Sequence, residues 1–228
     1  MMNKFAIVVP CFNEENTVKS VAEELCMTYE NSIITIVDDG STDKSIDNLK
    51  NLNFENLNLI ESDKNYGKGH AMRAGLEFVK NKCEVVIFTD ADHEVLISDI
   101  KKVIKMYEDP QVESVFGSRF LDIPYTTIKK MGFERYIANK LITFIANLRY
   151  KHSLSDSCTA VKSFKSDLID KLKLKSLGFD IEPEIIRGLS KNSIFIHEVP
   201  ITYTPRSFKE GKKISFIDGI ITIKELFK

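Results

Sequence analysis

The stretch Val85–Glu94, VVIFTDADHE, decides how this chain folds. Val85, Val86, Ile87 and Phe88 make an apolar run rich in β-branched residues and too short for a helix, so it reads as a buried strand. The run stops in Asp90-Ala91-Asp92, with Glu94 two residues on. A buried parallel strand that ends in carboxylates sets them at the carboxyl edge of its sheet, where open α/β folds bind ligands. Two carboxylates one residue apart can face one cation, and hard divalent ions take oxygen ligands. Alone, the segment reads equally well as a polar turn in which Asp92 caps the following helix. Its neighbours decide between the two.

The same alternation recurs on both sides. Phe5–Pro10 is an apolar strand that gives way to a polar elbow at 11–16, then to helical spacing at Val18, Val21, Ala22 and Leu25. Ile33–Val37 runs into Asp38-Asp39-Gly40-Ser41-Thr42-Asp43 and a helix near Ser45–Leu52. Leu57–Glu61 is a third strand, and the elbow at 65–70, NYGKGH, opens a helix carrying Ala71, Ala74, Leu76 and Val79. Beyond VVIFTDADHE come an amphipathic helix, Ile97–Tyr107, and a strand, Val112–Phe116, ending in Gly117-Ser118-Arg119-Phe120. This rhythm predicts an α/β fold: a parallel sheet with helices on both faces and four polar elbows on one edge.

The rhythm changes after Phe120. Residues 121–132 read as a loop, Phe133–Tyr150 as a long helix and Ser155–Phe164 as extended chain. Short helices are expected at Lys165–Leu172 and Phe179–Leu189, a strand at Ser193–His197, then Pro200–Tyr203, a basic loop and an amphipathic helix over Phe216–Phe227. No repeat or linker interrupts the 228 residues, so one domain is expected, with a nucleotide-binding half (1–120) and a second half (121–228).

Composition narrows the functional classes. Hydrophobic residues make up 43% of the chain, enough for a packed core, and the net charge of -1 offers no global attraction for nucleic acid. Cys11, Cys26, Cys83 and Cys158 lack the spacing of a zinc site or a disulfide frame, which suits reduced thiols in the cytoplasm. No window reaches the length of a membrane span.

The elbows suit a nucleotide. Asp38 and Asp39 can take base or ribose hydrogens, the backbone at Gly67–Gly69 allows close approach, and Lys68 can meet phosphate. The chain lacks the GxxxxGK[ST] spacing of a P-loop, the GxGxxG of dinucleotide binders and the EF-hand pattern. His70, His93, His152 and His197 carry no motif that assigns them chemistry.

Taken together, VVPCFNEENTV, VDDGSTD, NYGKGHAMRAG and DADHE resemble the family 2 GT-A glycosyltransferases, and most closely their dolichol-phosphate or polyprenyl-phosphate sugar transferase branch. GSRF (117–120), SDSCTAVKSF (155–164), FDIEPEII (179–186) and VPITYTPRSFKEGKKI (199–214) each resemble a motif of that branch. The resemblance implies a GT-A fold, with a Rossmann-like, mostly parallel sheet flanked by helices and acceptor-side helices at the C-terminal end. It implies that Pro10, Phe12 and Glu14, with Asp38 and Asp39, hold base and ribose, beside Lys68 and Gly69. Asp90 and Asp92 would hold the diphosphate through Mg or Mn, with Glu94 as a third ligand. Arg119, Arg135 and Arg206, with Lys212 or its neighbour Lys213, would surround an acceptor phosphate. The reaction implied is an inverting, metal-dependent transfer of mannose or glucose from GDP-mannose or UDP-glucose to a polyprenyl phosphate.

The nature of the nucleophile separates two readings. A sugar hydroxyl needs a placed carboxylate as general base, whereas a lipid phosphate is already anionic and needs positive charge to bind it. Asp156, Asp180, Glu182 and Glu184 are the carboxylates available for a base. From Lys129 to Lys151 six basic side chains stand against Glu134 alone, on a helix with a broad apolar stripe. Such a helix either lies on an anionic membrane or packs on the core with a solvated basic face. The expectation is a lipid-phosphate acceptor and peripheral attachment at the cytoplasmic face of the membrane, directly or through a membrane partner. Transfer to a saccharide hydroxyl is the alternative, and a non-catalytic nucleotide-sugar binder a third.

Overall fold

The computed structural model describes residues 3–206 and 216–227. Among the described residues one sheet holds seven strands: β1 (Asn3–Cys11), β2 (Ile33–Asp38), β3 (Leu57–Glu61), β4 (Cys83–Phe88), β5 (Ser114–Ser118), β6 (Lys162–Lys165) and β7 (Ile196–Pro200). The helices are α1 (Val18–Thr28), α2 (Ser45–Lys50), α3 (Lys68–Val79), α4 (Ile100–Met106), α5 (Tyr125–Met131), α6 (Phe133–Tyr150), α7 (Ile169–Leu172), α8 (Ile181–Lys191) and α9 (Phe216–Leu226).

The period of two along β1 builds both layers of the core. Ile7, Val9 and Cys11 face Val18, Val21 and Leu25 of α1 and Ile100 and Val103 of α4. Ala6 and Val8 face Ala71, Met72 and Leu76 of α3 and Ile181 and Ile185 of α8. Each fully buried aliphatic side chain of this kind contributes about 1.5–3 kcal/mol. The α3 helix lies so close to β1 that a Cβ on Gly75 would come within 2.3 Å of Val8 Cγ1.

Strand order places the site. Across the sheet it is β3-β2-β1-β4-β6-β5-β7. The chain steps outward from β1 to β3, then returns to pair β4 with the other side of β1. The reversal opens a crevice at the carboxyl ends of β1 and β4, the place where such sheets bind ligands. The elbows 11–16 and 90–94 lie there.

The sheet is mostly parallel, as expected; the exception is β6, which lies between β4 and β5 and runs against both. Within Ser155–Phe164 only the last residues are strand. Ser155 Oγ sits 2.5 Å from Ser118 Oγ at the carboxyl edge, so the strand that follows can only run back. Residues 121–132 are not all loop: α5 begins after Pro124 and ends at Gly132, whose φ is +93°. Seven residues are too few to show a period, but Pro before and Gly after are the start and stop signals. Finally, the helix expected at Ile97–Tyr107 starts with a 3₁₀ turn, Ile97–Asp99.

The α6 helix presents its apolar stripe outward. Phe133, Ile137, Leu141, Phe144 and Leu148 are between 48% and 75% exposed, while Thr143, Ala146 and Tyr150 face the core. No helix among the described residues is long and apolar enough to cross a membrane.

Candidate active site

The first two elbows lock each other. Asn13 N–H donates to Ser41 Oγ and Thr42 N–H to Asn13 Oδ1, both at 2.8 Å. Glu14 N–H donates to Ser45 Oγ at 2.8 Å, and Glu15 N–H to Asp43 Oδ2 at 3.0 Å. Asp38 Oδ2 accepts Ser41 N–H at 2.8 Å, and its buried Oδ1 has no protein partner among the described residues. Asp39 Oδ2 accepts the N–H groups of Tyr66 and Gly67 at 3.1 and 2.6 Å, which fixes the third elbow. Gly67, at φ +109°, and Gly69 do allow a close approach, but by the chain's own backbone. A Cβ on Gly69 would meet Ser176 O at 2.6 Å, and one on Gly67 would meet Leu177 O at 2.5 Å.

A cavity of about 370 Å³ lies over the crevice. Of the expected site residues, Pro10, Phe12, Glu14, Asp39, Lys68, Asp90, Asp92, Glu94 and Arg206 line it. A second cavity of about 400 Å³, between α3 and residues 169–174, has none of the paired carboxylates of the fourth elbow.

The fourth elbow is held from both sides. Thr17 Oγ1 donates to Ala91 O at 2.8 Å, and Asp92 Oδ1 accepts Glu94 N–H at 3.0 Å. The segment after β7 runs along it: Val95 bridges Tyr203, and Thr204 N–H donates to Glu94 O at 2.7 Å. That track delivers Arg206. Its guanidinium donates to Glu14 Oε2 at 2.8 Å and to Asp92 Oδ2 at 2.7 Å, and the backbone N–H of Arg206 donates to Glu94 Oε1 at 2.7 Å. Opposite, Lys68 Nζ stands 3.0 Å from Asp90 Oδ1 and 3.0 Å from Glu182 Oε1.

Among the described residues, five lining carboxylates (Glu14, Asp39, Asp90, Asp92, Glu94) face two lining cations, Lys68 and Arg206. Burial, and then the charges of Asp90 and Glu94, push the Asp92 carboxyl up to about 6, against the pull of Arg206. Burial disfavours the Lys68 ammonium, but Asp90 and Glu182 outweigh it and raise its pKa. No trio of His, Cys, Asp or Glu among the described residues forms a ready cage for a metal. Asp90 and Asp92 nevertheless fit Mg or Mn, which take one or two carboxylates and complete their shell with substrate phosphates.

The other expected residues lie elsewhere. Arg119 is paired with Asp156: Nε donates to Oδ2 at 2.6 Å and an NH2 group to Oδ1 at 2.8 Å, with the carboxylate wholly buried. Its guanidinium also lies 5.1 Å from the Phe120 ring and 5.2 Å from the Tyr203 ring. Arg135 is half-buried in the first turn of α6 and does not line the cavity. Lys212, like Lys213, falls outside the described residues. The base candidates are mostly engaged. Asp156 serves Arg119, Glu184 Oε2 accepts Lys175 and Ser176 N–H at 2.9 and 2.8 Å, and Glu182 is held by Lys68 and Lys162. Asp180 Oδ1 accepts Gly178 N–H at 3.1 Å.

Lys162 escaped the sequence reading. It is wholly buried at the start of β6, where its Nζ donates to Glu182 Oε2 and Thr159 O. A lysine inside an alternating apolar stretch, with an acid required opposite it, was the available signal.

A doubly wound sheet with its cavity at the reversal point accords with the GT-A fold of glycosyltransferases. The chain belongs to glycosyl transferase family 2, whose sequence model matches residues 6–173. Its relatives include the polyprenyl-phosphate branch expected above. The UDP-N-acetylglucosamine–dolichyl-phosphate N-acetylglucosaminyltransferase of Methanococcus voltae is 29% identical over 228 residues, covering 91% of this chain and 89% of its own. The polyprenol monophosphomannose synthase of Mycolicibacterium smegmatis is 20% identical over 213 residues, covering 90% and 79%. Glucosyl-3-phosphoglycerate synthase from Mycobacterium tuberculosis, crystallised with Mn2+, UDP-glucose and phosphoglyceric acid, shares the fold with a TM-score of 0.67 at 14% identity, covering 99% of this chain and 80% of that one.

Proposed function

We propose that this enzyme moves a sugar from a nucleoside diphosphate sugar to a polyprenyl phosphate at a membrane surface. The observation that carries the acceptor is the state of the candidate bases. Of the four candidates, Asp156, Glu182 and Glu184 are bound to cations or backbone N–H groups and Asp180 Oδ1 accepts Gly178 N–H, which disfavours them as acceptors of a proton from a sugar hydroxyl. A phosphate monoester needs no such base; it attacks the anomeric carbon as an anion while the nucleoside diphosphate departs. The relatives named for dolichyl phosphate and polyprenol acceptors support the same choice.

On the donor side, Asp39 and the buried, unpartnered Oδ1 of Asp38 suit the hydrogens of base and ribose, and Lys68 suits the diphosphate. A divalent cation held by Asp90 and Asp92, with Glu94 beside them, would offset the charge that builds on the leaving diphosphate. The surplus of carboxylates in the cavity favours that assignment. On the acceptor side, Arg206 would turn its guanidinium toward the acceptor phosphate, where the planar fork fits two oxygens at once. The exposed stripe of α6, flanked by Lys129, Lys130, Arg149 and Lys151, suits an anionic bilayer surface and supports peripheral attachment.

The test incubates the protein with Mn2+, polyprenyl phosphate and labelled UDP-N-acetylglucosamine, UDP-glucose or GDP-mannose in turn. Label should enter an organic-soluble product that mild acid releases, and Asp92→Ala should abolish it. Label that appears only in water-soluble saccharide would overturn the acceptor assignment.

A further inference from the structure

The chain Lys162–Glu182–Lys68–Asp90 joins the floor of the sheet to the cavity wall. Lys68 is the first residue of α3, on a flexible four-carbon stem, and two acceptors at 3.0 Å fix its Nζ. One acceptor, Asp90, belongs to the cavity. The other, Glu182, comes from the first turn of α8 and is only 8% exposed. Its second oxygen takes Lys162, which pairs in register with Phe88 on one side and Phe116 on the other.

Packing does not require a lysine between two phenylalanine-bearing strands. A buried ammonium is costly unless paired, and an apolar residue of equal volume would serve the core as well. What lysine adds is charge. Lys162 cancels Glu182, so the positive charge of Lys68 is left over for the cavity. Burial disfavours the Glu182 carboxylate, yet the two lysines outweigh it and keep the group ionised.

We propose that Glu182 and Lys162 are positioning residues for the donor, holding Lys68 at the cavity wall so that its ammonium meets the diphosphate. The proposal rests on the donor reading above. On donor entry Lys68 exchanges Asp90 for a phosphate oxygen, while Glu182 keeps its hold. Asp90 is thereby released when the diphosphate arrives.

Calorimetric titration with UDP and with GDP, each with Mn2+, tests this. Lys162→Met leaves Glu182 to draw Lys68 away, and nucleoside diphosphate binding should weaken about tenfold, the worth of one charge-assisted hydrogen bond. The double variant Lys162→Met with Glu182→Leu removes both charges together, so it folds without a stranded ion. It should show the same weakening for UDP or GDP, a smaller one for UMP or GMP, and an unchanged KM for the lipid acceptor. A folded double variant that binds nucleoside diphosphate like the parent overturns the proposal, as does an equal loss with uridine or guanosine. If the parent binds neither nucleotide, the donor reading falls and this one with it. If the parent binds nucleotide but makes no lipid product, only the acceptor reading falls.

Discussion

Arg119 follows β5 and Arg206 follows β7, neighbouring parallel strands, yet the two guanidiniums keep different company. Arg119 meets one carboxylate, Asp156, in a bidentate pair whose carboxylate is wholly buried. Arg206 meets three, Glu14, Asp92 and Glu94, at the mouth of a cavity. The first pair is neutral and closed. The second is a cation outnumbered by anions, so it can be exchanged for another cation, or turned toward an anion, without stranding a charge. Two arginines expected around one acceptor phosphate thus keep different partners, one in a closed ion pair and one at the mouth of the cavity.

The contrast breaks most readily in stability. Arg119→Ala should cost about 3–5 kcal/mol, because it leaves Asp156 buried without a counter-charge. Thermal melts will show a large fall for Arg119→Ala and a slight one for Arg206→Ala. Equal falls would erase the distinction. Activity should run the other way. Arg206→Ala should lower kcat/KM for the lipid acceptor about 100-fold, roughly 2.7 kcal/mol, with the donor KM moving less. Equal loss of donor binding would contradict the assignment.

A smaller effect sharpens the point through pH. The proposed cation would compete with protons for Asp92, whose carboxyl is pushed up to about 6 by burial first and then by Asp90 and Glu94. Mn2+ binding without nucleotide, followed by electron spin resonance, should be flat above pH 7. Below pH 6 it should weaken by up to tenfold per unit. Arg206 opposes the rise, so in Arg206→Ala the window should move to higher pH. The smallest effect concerns the membrane face. Phe144→Ser with Leu148→Ser should reduce flotation with anionic liposomes several-fold and leave the melt unchanged, since both side chains are exposed.

Much of this was readable beforehand because it is local. Strands that stop in polar elbows follow from short apolar runs, and β3 and α6 fall where they were expected. The fourth elbow lines the cavity for the reason its sequence implied, a strand end beside a reversal of strand order. What escaped depends on pairing. Nothing in Ala160–Lys165 says that the strand runs backward between two others, and that placement puts Lys162 under the site. Likewise Asp156 looks like any acid in a polar turn until Arg119 closes on it. In the sequence the glycines at 67 and 69 read as allowing close approach of a nucleotide; the backbone that approaches them is that of residues 176–178, which only the fold brings there.

Arg206 and Glu14 touch across 192 positions of chain. Contacts of such separation form late, since the intervening loop must be closed before they contribute. During synthesis Glu14, Asp92 and Glu94 all emerge long before the arginine that balances them. A chain halted just past β7 would own the seven described strands and a cavity whose carboxylates face Lys68 but not yet Arg206. The electrostatic finish of the site is therefore a late event in folding, set when a single strap of residues, 202–206, docks beside the fourth elbow.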